Sequence, residues 1–127
     1  HMEEKKKLLL VVEDEVSLAN ALNKKFSSED FEVLVAKDGE EGLKKSLENH
    51  PHIILLDIIM PKLDGISMLK KLREDNWGKE VPVILLTNLS DSEKVAEGME
   101  VGVYDYLVKS DWKIEDVVSK VKEKLGM

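Results

Sequence analysis

The sequence predicts an α/β protein built as a five-stranded, doubly wound parallel sheet with helices on both faces. Two observations predict it. Short apolar runs recur along the chain, several of them continuous rather than alternating, which is the pattern of strands buried on both faces. Between them lie segments whose apolar residues repeat at helical spacing, so strand and helix alternate five times with short connections.

Leu8 to Val12 is the first run, and it stops abruptly at Glu13-Asp14-Glu15. Leu18, Leu22 and Phe26, with Ala19 beside them, then mark an amphipathic helix. Phe31 to Ala36, rich in valine, is the second strand. Asp38 and Glu41 have capping-box spacing and open a helix carrying Leu43 and Leu47, which His50-Pro51-His52 breaks. Ile53 to Leu56 is the third strand and ends in Asp57; after a loop with Pro61 and Gly65, Ile66, Leu69 and Leu72 mark the third helix. Val83 to Leu86 is the fourth strand and ends in Thr87. Ser90 and Glu93 form a second capping-box pair, Val95 and Met99 share a helical face, and Gly102 is the C-terminal stop. Tyr104 to Val108 is the fifth strand, ending in Lys109. Ile114, Val117, Val118, Val121 and Leu125 give the clearest helical periodicity in the chain.

A chain of 127 residues with 43% hydrophobic and 35% charged residues fits one globular domain with its own core. The net charge of -7 argues against direct nucleic-acid binding, which needs a basic surface, and gives no support for an anionic membrane. The absence of cysteine excludes disulfides and thiolate metal sites. No apolar run approaches the roughly 20 residues of a bilayer span, and the charged stretch Glu3 to Lys7 is no signal sequence. The expected location is cytoplasmic. His1-Met2 reads as an expression scar, leaving residues 3–127 as a single domain.

The polar residues that interrupt the strands point to chemistry. In a parallel sheet Glu13, Asp14, Asp57, Thr87 and Lys109 all fall at one edge, the carboxyl ends of the strands. Open α/β sheets bind ligands there, where the strand order reverses; for the order 2-1-3-4-5 that point lies between strands one and three. Any one of these residues has an ordinary reading: Asp14 as a helix cap, Thr87 as a loop hydroxyl, Lys109 as a surface charge. Their joint occurrence at four strand ends favours a site. Three neighbouring carboxylates raise one another's pKa unless compensated. A hard divalent cation, Mg²⁺ (or Mn²⁺), suits oxygen ligands and phosphoryl groups, and Lys109 adds a point charge. Asp57 is then the nucleophile, forming an aspartyl phosphate, with Thr87 orienting the transferred group.

The segments L-L-L-V-V-E-D-E, L-L-D-I-I-M-P-K-L-D-G, V-I-L-L-T-N and D-Y-L-V-K-S together resemble the response-regulator receiver domain, chemotaxis-regulator-like, over essentially the whole chain. The resemblance implies a flavodoxin-like receiver fold and a phosphorelay role in two-component signalling. It implies Asp57 as phosphoacceptor, Glu13, Asp14 and Asp57 as metal ligands with the backbone carbonyl of Ile59, and Thr87 and Lys109 as phosphoryl contacts. Tyr106 takes the aromatic switch position. The implied partners are a sensor histidine kinase or phosphotransfer protein, and a downstream protein target on the face of helix four, strand five and helix five. The implied state is a monomer or a phosphorylation-dependent dimer. Such a domain is a signalling module rather than an enzyme, catalysing only its own phosphorylation and dephosphorylation. The chain ends two residues after Leu125, which leaves either a single-domain regulator or a domain excised from a longer one.

Several residues depart from the family pattern. Ser110 stands where proline, usually preceded by a cis peptide, follows the lysine; a cis bond is costly before any other residue, and the Lys109–Ser110 peptide is left open between trans and cis. Asn88 is larger than the residue usually found after Thr87 and narrows the path of Tyr106. Ile59 and Leu89 are apolar at positions that govern water access to the phosphoryl group, which predicts slow self-dephosphorylation. Val103 replaces an alanine, a packing change. His50 and His52 read as solvated loop residues rather than phosphorelay or metal groups, and Trp77 as the cover of an apolar loop base. Trp112, near Lys109, is a candidate fluorescent reporter. The rival reading is a phosphorylation-independent receiver-like interaction module. An aspartyl-phosphate phosphatase would need a second acid at position 59, and a flavin carrier a hydroxyl- and glycine-rich loop at 13–15.

Overall fold

The computed structural model describes residues 5–127, with the backbone alone at Leu89, so His1 and Met2, read above as a scar, and Glu3 and Glu4 lie outside the described residues. The elements are β1 (Leu8–Val12), α1 (Val16–Ser28), β2 (Glu32–Ala36), α2 (Gly39–Asn49), β3 (Ile53–Asp57), α3 (Gly65–Glu74), β4 (Val83–Thr87), α4 (Ser92–Val101), β5 (Asp105–Val108) and α5 (Ile114–Leu125). The strands form one parallel sheet in the order β2-β1-β3-β4-β5. This is the predicted flavodoxin-like architecture, with β2 and β5 each starting one residue later than the sequence pattern suggests.

Successive strand side chains point to opposite faces, and this period of two divides the core. Leu10, Val12, Ile54, Leu56, Val83 and Leu85 face Met68, Leu69 and Leu72 of α3. Leu9, Val11, Ile53, Leu55, Ile84 and Leu86 face Leu22 and Phe26 of α1 and Val117, Val118 and Val121 of α5. Each such aliphatic side chain taken out of water contributes about 1.5–3 kcal/mol. The rings of Phe26 and Phe31 meet edge to face at 5.1 Å and anchor the turn into β2.

Helix starts differ in part from expectation. Asp38 accepts from the Glu41 amide at 2.9 Å, but the Glu41 carboxylate reaches back to the Lys37 amide, so only half of that capping box forms. The Ser90–Glu93 box does not form. A single 3₁₀ turn, Leu89–Asp91, follows Thr87, and the reciprocal pair is Asn88 with Asp91, whose Oδ2 accepts from the Asn88 amide at 3.1 Å. Both pairs have three-residue spacing, so spacing alone does not choose between them. The 3₁₀ turn delays α4 to Ser92. Leu47 and Met99 stay at the outer margin of their helices, with Met99 48% exposed. Gly102 ends α4 at φ 116°, in the positive-φ region that disfavours side chains, as predicted. There is no cis peptide among the described residues, so the Lys109–Ser110 bond, which the sequence leaves open, is trans.

Gly65 opens α3 directly behind the end of β3. Its amide donates to Ile58 O at 2.8 Å, and a Cβ there would stand 2.2 Å from the Asp57 carbonyl oxygen. Backbone cannot move aside as a flexible side chain can. Gly65→Ala is therefore expected to lower the unfolding free energy by roughly 1–3 kcal/mol, measured by urea denaturation. An unchanged midpoint would show that the β3–α3 junction can relax.

Candidate functional site

Strand register decides what meets at the carboxyl edge of the sheet. Val12 pairs with Leu56, Asp57 with Leu86, and Thr87 with Val108. The residues at or just beyond these strand ends are therefore neighbours in space although they come from four separate stretches of sequence. Glu13 continues β1, its amide donating to Ala36 O at 3.0 Å, and Lys109 continues β5, its amide donating to Thr87 O at 2.7 Å.

The centre of the site is one ammonium between two buried acids. Lys109 Nζ lies 2.9 Å from Glu13 Oε1 and 3.1 Å from Asp57 Oδ1. Glu13 and Asp57 are almost fully buried, whereas Asp14 is exposed at the rim. Oxygen atoms of Glu13, Asp14 and Asp57 all lie within 4.8 Å of one another. Glu13 Oε2 accepts from the Glu15 amide at 3.1 Å. Glu13 Oε1 is buried and has no aligned hydrogen bond among the described residues, so its compensation is the ion pair alone. Thr87 is buried, with its hydroxyl donating to Asn88 O at 3.1 Å. The predicted acids, Thr87 and Lys109 thus converge.

Two predicted residues have side chains at the surface. Ile59 turns its side chain to solvent, 53% exposed. Tyr106 is also on the surface, 41% exposed, and borders a groove of about 410 Å³ between α4 and β5 lined with Thr87, Asn88, Val95 and Met99. The Leu89 side chain, expected near the phosphoryl site, lies outside what is described. His52 Nδ1 accepts from the Leu8 amide at 2.9 Å, and the His50 ring stacks on Trp77 at 4.3 Å, so both histidines serve the far end of the sheet. Trp77 and Val103 pack against the core as expected. Trp112 is half-buried against α5 and the core, with its indole N–H buried and without a partner among the described residues.

Asp64 is the residue that the sequence reading passed over. It caps α3, accepting from the Ser67 amide at 2.9 Å and the Ser67 hydroxyl at 3.0 Å. Burial opposes its charge, but these hydrogen bonds prevail and hold its carboxyl below the usual range. The signal was available as an Asp three residues before Ser67. Together Asp64 and Gly65 fix the loop that follows Asp57.

Residues 9–122 match the family model of the response regulator receiver domain. The chain belongs to this family. A probable transcriptional regulator of Cyanophora paradoxa is 42% identical over 108 residues, covering 85% of this chain and 44% of its own length. The alkaline phosphatase synthesis transcriptional regulatory protein PhoP of Bacillus subtilis is 38% identical over 103 residues, covering 81% of this chain and 42% of its own length. The receiver domain thus spans less than half the length of these relatives. Among solved structures, a putative response regulator from Chloroflexus aurantiacus superposes with a TM-score of 0.88 at 31% identity, covering 97% of this chain and 100% of that one. The receiver domain is accordingly a signalling module of two-component systems. No helix among the described residues is long and apolar enough to cross a membrane.

The electrostatics of this receiver domain follow from burial. Desolvation, and next the neighbouring Glu13 charge, push the Asp57 carboxyl up to about 7, against the pull of Lys109. Burial would lower Lys109, but Glu13 and Asp57 together more than offset it and its pKa rises. One cation cannot neutralise three acids, so the metal-free cluster carries an electrostatic strain that a divalent cation would relieve.

The sign of the resulting pH dependence is fixed. Asp57 ionises near its ordinary 3.8 when unfolded and near 7 when folded, so between those values the folded state holds the extra proton. Its contribution to stability is complete below about pH 4, and is lost as pH rises through about 7. In metal-free buffer Asp57→Asn should remove this decline and exceed the wild type at about pH 8 by on the order of 2 kcal/mol, with no gain near pH 4. Denaturation profiles that run parallel across this range would contradict the assignment.

Proposed function

We propose that Asp57 is the phosphoacceptor of a phosphorelay, taking a phosphoryl group from a phosphohistidine on a sensor histidine kinase or phosphotransfer protein. The observation that carries this reading is the Lys109 ammonium held between buried Glu13 and Asp57. A carboxylate kept that far from water, beside a fixed cation, is poised for transfer chemistry rather than for capping a helix. An Asp57 carboxylate oxygen attacks phosphorus, the O–P bond forms as the P–N bond breaks, and the imidazole leaves with the bonding pair.

The donor set suits a hard cation: three carboxylates close together, one with a buried oxygen that lacks an aligned hydrogen bond. Glu13, Asp14, Asp57 and the carbonyl of Ile59 would hold Mg²⁺ (or Mn²⁺), which supplies charge neutralisation for the phosphoryl oxygens. Lys109 would add its own positive charge to that neutralisation. Thr87, now donating to the Asn88 carbonyl, turns its hydroxyl to a phosphoryl oxygen. That movement opens the space beside the groove, and Tyr106 moves from the surface into it. The α4-β5-α5 face then differs between the two states, which is what a downstream protein reads. Ile59, two residues beyond Asp57, is apolar and exposed, which supports the reading of slow hydrolysis.

Incubation with acetyl phosphate and Mg²⁺ should add one phosphoryl group to the wild type and none to Asp57→Ala, read by intact mass. Equal gain by both proteins removes Asp57 from its role. With beryllofluoride and Mg²⁺, the amide resonances of Thr87 and Tyr106 should shift in the wild type and stay fixed in Asp57→Ala. If neither reagent acts on the wild type, the chain is a phosphorylation-independent interaction module instead.

A further inference from the structure

A second polar depression lies at the opposite, amino-terminal edge of the sheet. It has a volume of about 260 Å³ and is bordered by Arg73 of α3, Lys79 and Glu80 on the connection into β4, Gly102 and Tyr104 on the connection into β5, and Lys124 of α5. Three cations and one carboxylate leave two positive charges in excess, in a chain whose net charge is -7. Nothing in the acidic cluster at the other edge requires this.

Arg73 is the unusual member. Its guanidinium is half-buried and satisfied by carbonyl oxygens alone: Nε and Nη2 donate to Gly102 O at 3.1 and 2.7 Å, and Nη1 donates to Gly78 O and Val81 O at 2.6 and 2.7 Å. A guanidinium has five N–H donors, so one on Nη2 remains without a protein acceptor among the described residues. Carbonyl dipoles answer its hydrogen-bonding capacity but not its charge, and it forms no ion pair among the described residues. Burial lowers its pKa, with only Glu80 acting in the other direction. Lys79 and Lys124 also lack a carboxylate partner among the described residues, and Lys124 lies 4.9 Å above the centre of the Tyr104 ring. Of the neighbouring acids, Asp105 pairs with Lys120, and Glu123 accepts from the Tyr104 hydroxyl at 2.7 Å and keeps its charge.

We propose that this depression is an anion site for a small phosphate ester, with Arg73 supplying a fixed N–H donor and Lys79 and Lys124 closing on the phosphate. Two excess positive charges match a phosphate dianion, and the fixed planar fork of Arg suits its oxygen geometry. The partly exposed Tyr104 ring offers a surface for a short organic stem. The site is independent of the reading of Asp57. It borders Gly102, the junction between α4 and β5, so occupancy would stiffen the base of the face that Tyr106 shares.

Titration of the full chain without Mg²⁺ and at constant ionic strength tests this, following amide resonances with inorganic phosphate in one arm and glycerol phosphate in the other. Gly102 and Tyr104 should shift saturably with glycerol phosphate, with a dissociation constant below roughly 1 mM. The Lys79→Gln/Lys124→Gln double variant, changed only at exposed positions, should bind about tenfold more weakly. Tighter binding of the ester than of phosphate establishes the organic subsite; equal binding overturns the ester and leaves free phosphate as the ligand. The site is overturned altogether if no saturable shift occurs, if the double variant binds equally well, or if acetate produces the same shifts.

Discussion

The contact on which the rest of this receiver domain depends is the Lys109 ammonium shared between Glu13 and Asp57. Two carboxylates buried beside each other are costly, because each has lost its water and each repels the other. One fixed cation makes the arrangement tolerable without making it comfortable, as the raised Asp57 pKa records. Further positive charge in the pocket would relieve that residual strain.

Holding such a cluster requires a frame that does not yield. The frame is the parallel register of β1, β3, β4 and β5, whose buried aliphatic residues leave no freedom to slip by one position, since a slip would turn every core side chain to the opposite face. The β3–α3 connection adds a second constraint. Gly65 packs against the backbone of Asp57, and Asp64 caps the helix that follows, so the loop beside the acid cannot drift. Thr87 and Tyr106, by contrast, border open space. The molecule is closely fixed around the acidic cluster and open along the groove that Thr87 and Tyr106 line.

Charge is distributed to match. The carboxyl edge of the sheet concentrates acids around one lysine, while the amino edge gathers Arg73, Lys79 and Lys124 around one glutamate. Arg73 stitches α3 to the α4–β5 junction through Gly102.

The sequence by itself determined the alternation of strands and helices, because apolar runs and helical periodicity are local patterns that burial on both faces of a sheet makes unambiguous. It also determined which residues stand at strand ends: Glu13, Asp57, Thr87 and Lys109 each interrupt an apolar run. Only the tertiary structure decided that Lys109 reaches both acids, since that follows from strand register. Tertiary packing also chose the Asn88–Asp91 cap over Ser90–Glu93 and gave Asp64 its place. Spacing offered equal candidates there, and the choice came from a single 3₁₀ turn and a close backbone approach. The convergence on Asp57 was legible as chemistry. Its geometry was not, because side-chain distances across a sheet are set by contacts that no local stretch of sequence contains.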